Sequence, residues 1–107
     1  MIHNLEGYEL SIEADFDLED IFDYTEENHS IQQAIKYLND LDYIFNQLVN
    51  NPEIGRKRNE IKVDLLSITE QEHIIFYRVL ENHIRIVRVL HGSKDVPRNF
   101  KNWSTEK

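Results

Sequence analysis

Six cations stand on or beside the segments of this chain that read as strands: Arg56, Arg58, Lys62, Arg78, Arg88 and Arg98. A guanidinium group offers a planar fork of donors that matches carboxylates and phosphates, so such a set suits an anionic partner. Arg78 and Arg88 fall on segments expected to be neighbouring strands. An arginine among Ile and Val is costly there unless its head reaches solvent or meets an acid. Two readings stay open: an internal ion pair, with Glu60 or Asp95 as the acid, or an anion site on an open sheet face.

Five histidines are the other groups able to do chemistry: His3, His29, His73, His83 and His91. No two share one helix at a spacing of three or four, and neither HExxH nor a carboxylate-rich calcium loop occurs, so no metal site is expected. His3 and His29 read as exposed, His73 and His83 as strand starts, and His91 with Gly92 as the turn leaving the last strand. Gly55-Arg56-Lys57-Arg58 has one glycine and lacks both the Walker pattern and the dinucleotide fingerprint. No serine lies in a nucleophile-elbow setting. The chain has no cysteine, which excludes disulfides, thiolate metal sites and a cysteine nucleophile. No cofactor is expected.

The elements that must position these groups follow from hydrophobic period. Gly7 to Ile12 alternates Tyr8, Leu10 and Ile12 against Glu9, Ser11 and Glu13, the pattern of a half-buried strand. From Asp15 the period becomes helical. Phe16, Leu18, Ile21, Phe22, Tyr24 and Thr25 form the expected buried stripe, Glu19, Asp20, Asp23 and Glu26 the solvent face, and Asp15 or Asp17 the cap. Ser30 to Gln33 has capping-box spacing and opens a second helix with the stripe Ile31, Ala34, Leu38, Leu41, Phe45 and Leu48. Asn50-Asn51-Pro52 ends it. Three strands follow, over Glu60 to Ile68, His73 to Leu80 and His83 to Leu90, joined by short polar turns that favour an antiparallel meander. The last is apolar on both faces, as a central strand or one awaiting a partner would be.

The expected fold is therefore α+β, in the order β-α-α-β-β-β, with an antiparallel-rich sheet and an N-terminal helical hairpin on one face. One domain is expected over residues 1–107, with its core at about 7–100 and a polar tail at 101–107. The 40% apolar and 30% charged composition fits a globular domain. No apolar run approaches the roughly 20 residues of a membrane span, and no secretory signal is seen. The net charge of −8 is uneven. Residues 1–53 hold thirteen acids and one cation, Lys36, a balance of −12; residues 54–107 hold eleven cations and seven acids, +4. Uniform binding of nucleic acid is disfavoured, because the acidic half repels phosphate. A local cationic site in the second half remains open beside two solvated faces of opposite sign.

Five phrases in this order carry a resemblance: LSIEADFDLEDIFDYT (Leu10 to Thr25), HSIQQAIKYLNDL (His29 to Leu41), NPEIGRKRNEI (Asn51 to Ile61), HIIFYRV (His73 to Val79) and IRIVRVLHGSKDVPRNF (Ile84 to Phe100). Over Tyr8 to about Phe100 the chain resembles the ParE branch of the RelE/ParE toxins of bacterial type II toxin–antitoxin modules. The resemblance implies a small cytoplasmic toxin that inhibits DNA gyrase without a cofactor. It also implies a cognate antitoxin whose C-terminal part wraps the apolar surface, and operator DNA reached only through that antitoxin. Candidates for contact with the target or an anionic group are Arg56, Arg58, Arg78, Arg88, His91, Lys94 and Arg98. The RelE branch, which cleaves mRNA on the ribosome, is the enzymatic alternative; the segment after Tyr77 offers it no further tyrosine. A weakly toxic antitoxin-binding module is a third reading. The acidic first half departs from what a toxin acting on nucleic acid suggests.

Overall fold

The computed structural model describes residues 5–92. Lys94, Asp95, Arg98, Trp103 and the tail at 101–107 lie outside the described residues. Strand β1 (Tyr8–Leu10) leads into helix α1 (Ile12–Asn28), then α2 (Ile31–Asn50), β2 (Arg56–Lys57), β3 (Leu66–Glu70), β4 (His73–Val79) and β5 (Ile84–His91). The sheet order is β1-β5-β4-β3-β2; β1 runs parallel to β5 and every other pair is antiparallel. This is the expected α+β architecture with one added edge strand.

The helical hairpin covers one sheet face. Ser30 caps α2 by accepting the Gln33 amide at 3.1 Å, and Ala34, Leu41, Phe45 and Leu48 form its buried stripe. Leu41, Phe45 and Leu48 meet Ile75, Tyr77, Ile84, Ile86 and Val89 of the sheet, with Tyr8 edge-on to Phe45 at 5.0 Å. The other face has no helix among the described residues. It holds a smaller cluster of Leu65, Phe76, Val87 and Leu90, packed with Ile61 and Ile74. Strand β5 is thus buried on both faces by its own chain and flanked by β1 and β4, which accounts for its doubly apolar sequence.

Several boundaries differ from the sequence pattern. Helix α1 starts at Ile12 and is capped by Ser11, whose hydroxyl accepts the Ala14 amide at 2.9 Å; neither Asp15 nor Asp17 is the cap. The buried side of α1 is Ala14, Asp17 and Ile21, while Phe16 and Tyr24 are 58% and 61% exposed. Of the expected stripe, Ile21 is buried and Leu18, Phe22 and Thr25 are half-buried; Phe16 and Tyr24 leave it, and Asp17, a cap candidate in the sequence, takes a buried place instead. The strand expected from Glu60 begins only at Leu66. Before it, Arg58 to Leu65 folds into turns closed by Arg58 N–H to the Leu65 carbonyl at 2.8 Å, with Asp64 at φ 67° held by the Asn59 side chain. Exposed, charged Arg56 and Lys57 form an edge strand that hydrophobic alternation does not reveal.

Candidate functional site

Two regions gather the chemistry-bearing residues. The first is the junction of β5 with α1. Beyond the end of β1, the edge of β5 would present unpaired backbone groups. Ser11 donates its amide to the Ile86 carbonyl at 2.9 Å and its hydroxyl to the Val87 carbonyl at 2.7 Å. Asp17 accepts the Val89 amide at 2.9 Å. The partners of β4 jump from Arg88 to Ile86 between Phe76 and Tyr77, a bulge that leaves Val87 over and re-aims Arg88. The Arg88 guanidinium then meets Asp17 through two bonds, Nε to Oδ2 at 2.8 Å and Nη2 to Oδ1 at 2.9 Å. This pairing holds the guanidinium proton above its usual range. The acid that meets Arg88 is therefore Asp17; of the two acids suggested by the sequence, Glu60 binds Arg58 instead at 2.7 Å and Asp95 lies outside the described residues.

Next to this junction a cleft of about 640 Å³ opens between the helices and the ends of β4 and β5, lined in part by Tyr24, Tyr37, His73 and His91. His73 and His91 are cross-strand partners with rings edge-on at 5.5 Å. The Tyr37 hydroxyl stands 2.7 Å from Nδ1 of His73 and 3.2 Å from the Glu70 carbonyl. Burial pushes the Tyr37 hydroxyl up to about 12, helped by Glu70, Glu72 and Asp40. Burial first, and then His91, pulls His73 below its ordinary value. His91 lies 3.4 Å from Glu72. Among the described residues no group of three or more His, Cys, Asp or Glu could hold a metal ion.

The second region is the sheet face without helices. Arg58 donates Nε to Glu60 and Nη1 to Ser67 at 3.1 Å, with its plane 5.5 Å over the Phe76 ring. Cross-strand partners share a face. Arg56 opposes Ser67, and Ser67 opposes Phe76, so Arg56 stands on this side. Arg78 follows Phe76 by two residues and opposes Arg85. The structure thus brings together Arg56, Arg58 and Arg78 and separates them from Arg88 and His91. Arg85, absent from the sequence candidates, joins the face with Nη1 2.7 Å from Glu9, its partner across β1. Arg85 first, and then His83, holds the Glu9 carboxyl below its usual range. Arg85 was legible as the second member of an alternating run, Ile84-Arg85-Ile86. Asp17 was legible only in the spacing Ala14, Asp17, Ile21.

A two-helix hairpin on one face of a five-strand mixed sheet defines the class of protein. The solved structure titled "Chromosomal ParDE TA system from P. aeruginosa" shares that fold, with a TM-score of 0.71 at 20% identity over 83% of this chain and 97% of the other. Sequence likeness carries the assignment further. The family model described as "ParE toxin of type II toxin-antitoxin system, parDE" matches residues 8–96. Toxin ParE1 of Mycobacterium tuberculosis (strain CDC 1551 / Oshkosh) is 40% identical over 94 residues, covering 87% of this chain and 96% of that toxin. Toxin ParE1 of Caulobacter vibrioides is 30% identical over 89 residues, covering 83% and 92%. The chain belongs to the ParE toxin family of type II toxin–antitoxin systems.

Proposed function

We propose that this toxin is a single-domain, non-enzymatic inhibitor of DNA gyrase, acting in the cytoplasm and neutralised by a cognate antitoxin that links it to operator DNA. The observation that carries the reading is the family match over residues 8–96. One feature of the structure supports it. The Arg88 guanidinium, the cation nearest His91 along β5, has its charge already paired with Asp17 through Nε and Nη2, which weakens it as a partner for a phosphorane-like transition state. Target contact falls instead to the open-face arginines Arg56, Arg58 and Arg78; His91, Lys94 and Arg98 stay candidates on sequence position alone. Arg88 serves as a positioning residue at the α1–β5 junction.

Because β5 is already covered, the antitoxin surface moves to α1. Ile12, Phe16 and Tyr24 recur at multiples of four residues and stand 72%, 58% and 61% exposed. That row suits the apolar side of an amphipathic antitoxin segment. Purified toxin added to gyrase and relaxed plasmid should reduce supercoiling; full supercoiling at a large molar excess of toxin contradicts the reading.

A further inference from the structure

Arg78 and Arg85 are direct cross-strand partners on β4 and β5. Like charges in that relation destabilise a sheet unless an anion lies between or beside them. The two arginines are not equally served. Arg85 has Glu9 at 2.7 Å, so the anion of β1 is already engaged. Arg58, at the opposite side of the face, has both Glu60 and Ser67. The Nε of Arg78 is shielded from solvent and has no acceptor among the described residues. A guanidinium donor withdrawn from water and left without a partner carries an unrelieved desolvation cost.

We infer that Arg78, with Arg85 beside it, is a receptor for a carboxylate of a partner protein, an Asp or Glu side chain seated on the open sheet face. The guanidinium fork fits a carboxylate through two parallel bonds, which gives the contact geometry as well as charge. Charge on the surroundings favours a lone carboxylate over a nucleic-acid strand. Glu9 stands on the β1 side of the arginine pair and Glu60 beside Arg58 on the β3 side. A phosphate chain crossing the sheet meets the repulsion of one or the other, whereas a single carboxylate at Arg78 need not. The net charge of −8 opposes a polyanion further. The inference stands independently of which protein is the toxin's target, since the ligand is defined by its chemistry.

The test uses the purified full chain with ¹⁵N-labelled arginine, following the Nε–Hε signals by NMR. The probes are a blocked tetraglutamate peptide, inorganic phosphate and single-stranded octathymidylate. The Arg78 signal should move saturably with the peptide. Arg78→Gln should weaken the binding, read at Arg85, by about tenfold, the scale of one lost charge-assisted bond. Arg78→Lys, which keeps the charge and loses the fork, should weaken it too. Lys57→Gln, an exposed charge on β2, should leave it within about twofold of the parent. An Arg78 signal that does not saturate overturns the inference, as does undiminished binding by Arg78→Gln. Tighter binding of octathymidylate than of tetraglutamate overturns it in favour of nucleic acid. Tighter binding of free phosphate overturns the assignment to a protein carboxylate.

Discussion

At the scale of single residues, Asp17 does the most with the least sequence signal. Its carboxylate closes the open edge of β5 at Val89 and fixes Arg88, so one side chain ties the first helix to the last strand across 71 residues of sequence. Removing one member of a largely buried pair leaves the other uncompensated. Asp17→Ala should therefore cost about 3 kcal/mol in urea unfolding. The pair should show strong coupling in a double-mutant cycle with Arg88→Met, the double variant being less unstable than the sum of the singles. Additive losses would show that the two groups act separately. His73 carries a second, pH-dependent effect. Its folded value lies below 6.5, so between the two values the unfolded chain holds more protons than the folded one. Stability should accordingly fall as pH drops below about 6.5 and level off under the folded value. The groups around it act in both directions: His91 opposes its proton, while Glu72 and Asp17 favour it. Urea midpoints at about pH 7.5 and pH 5.5 should differ in the parent and converge in His73→Gln, a window above the carboxylate range. An unchanged pH slope in that variant would assign the effect elsewhere.

At the scale of elements, legibility followed burial pattern. Helix α2 was readable because Ser30 and the stripe Ala34, Leu41, Phe45 and Leu48 agree with one another, and β4 and β5 because their apolar runs are bounded by short polar turns. Helix α1 kept its type and most of its inward stripe, at Leu18, Ile21, Phe22 and Thr25; a buried Asp17 and the exposed Phe16 and Tyr24 are what the usual code misses, and the β5 edge explains the first. Residues 60–65 have strand-like composition but are captured by turns around Asn59 and Asp64, a competition that alternation does not record. The arginine face was legible in part, since Arg56, Arg58 and Arg78 were singled out while cross-strand register was needed to add Arg85. The exposed row on α1 gives this scale its prediction. Phe16→Lys should weaken antitoxin binding at least about tenfold by calorimetry, as loss of an aromatic interface anchor does. Because Phe16 is exposed, its urea midpoint should stay close to the parent's. Equal antitoxin affinity would move the docking surface off α1.

At the scale of the whole molecule, the charge asymmetry has a structural counterpart. The acids of residues 1–53 lie mostly on the helical layer, while Arg56, Arg58, Arg78 and Arg85 share the bare sheet face, so the described residues present two sides of opposite character. That division suits a protein with two separate contacts, an antitoxin on the helical side and a target on the arginine side. The total of −8 conceals a local cationic surface, as the uneven distribution of charge along the sequence indicates. The central claim is that this ParE-family chain poisons gyrase without cleaving a substrate of its own. The most direct measurement incubates purified toxin with gyrase, ATP and plasmid, traps the products with detergent and protease, and quantifies linear DNA. Linear plasmid should accumulate with toxin dose, require gyrase, and disappear when the antitoxin is added first. No gyrase-dependent linear DNA, together with mRNA cut on ribosomes by the same preparation, would contradict it.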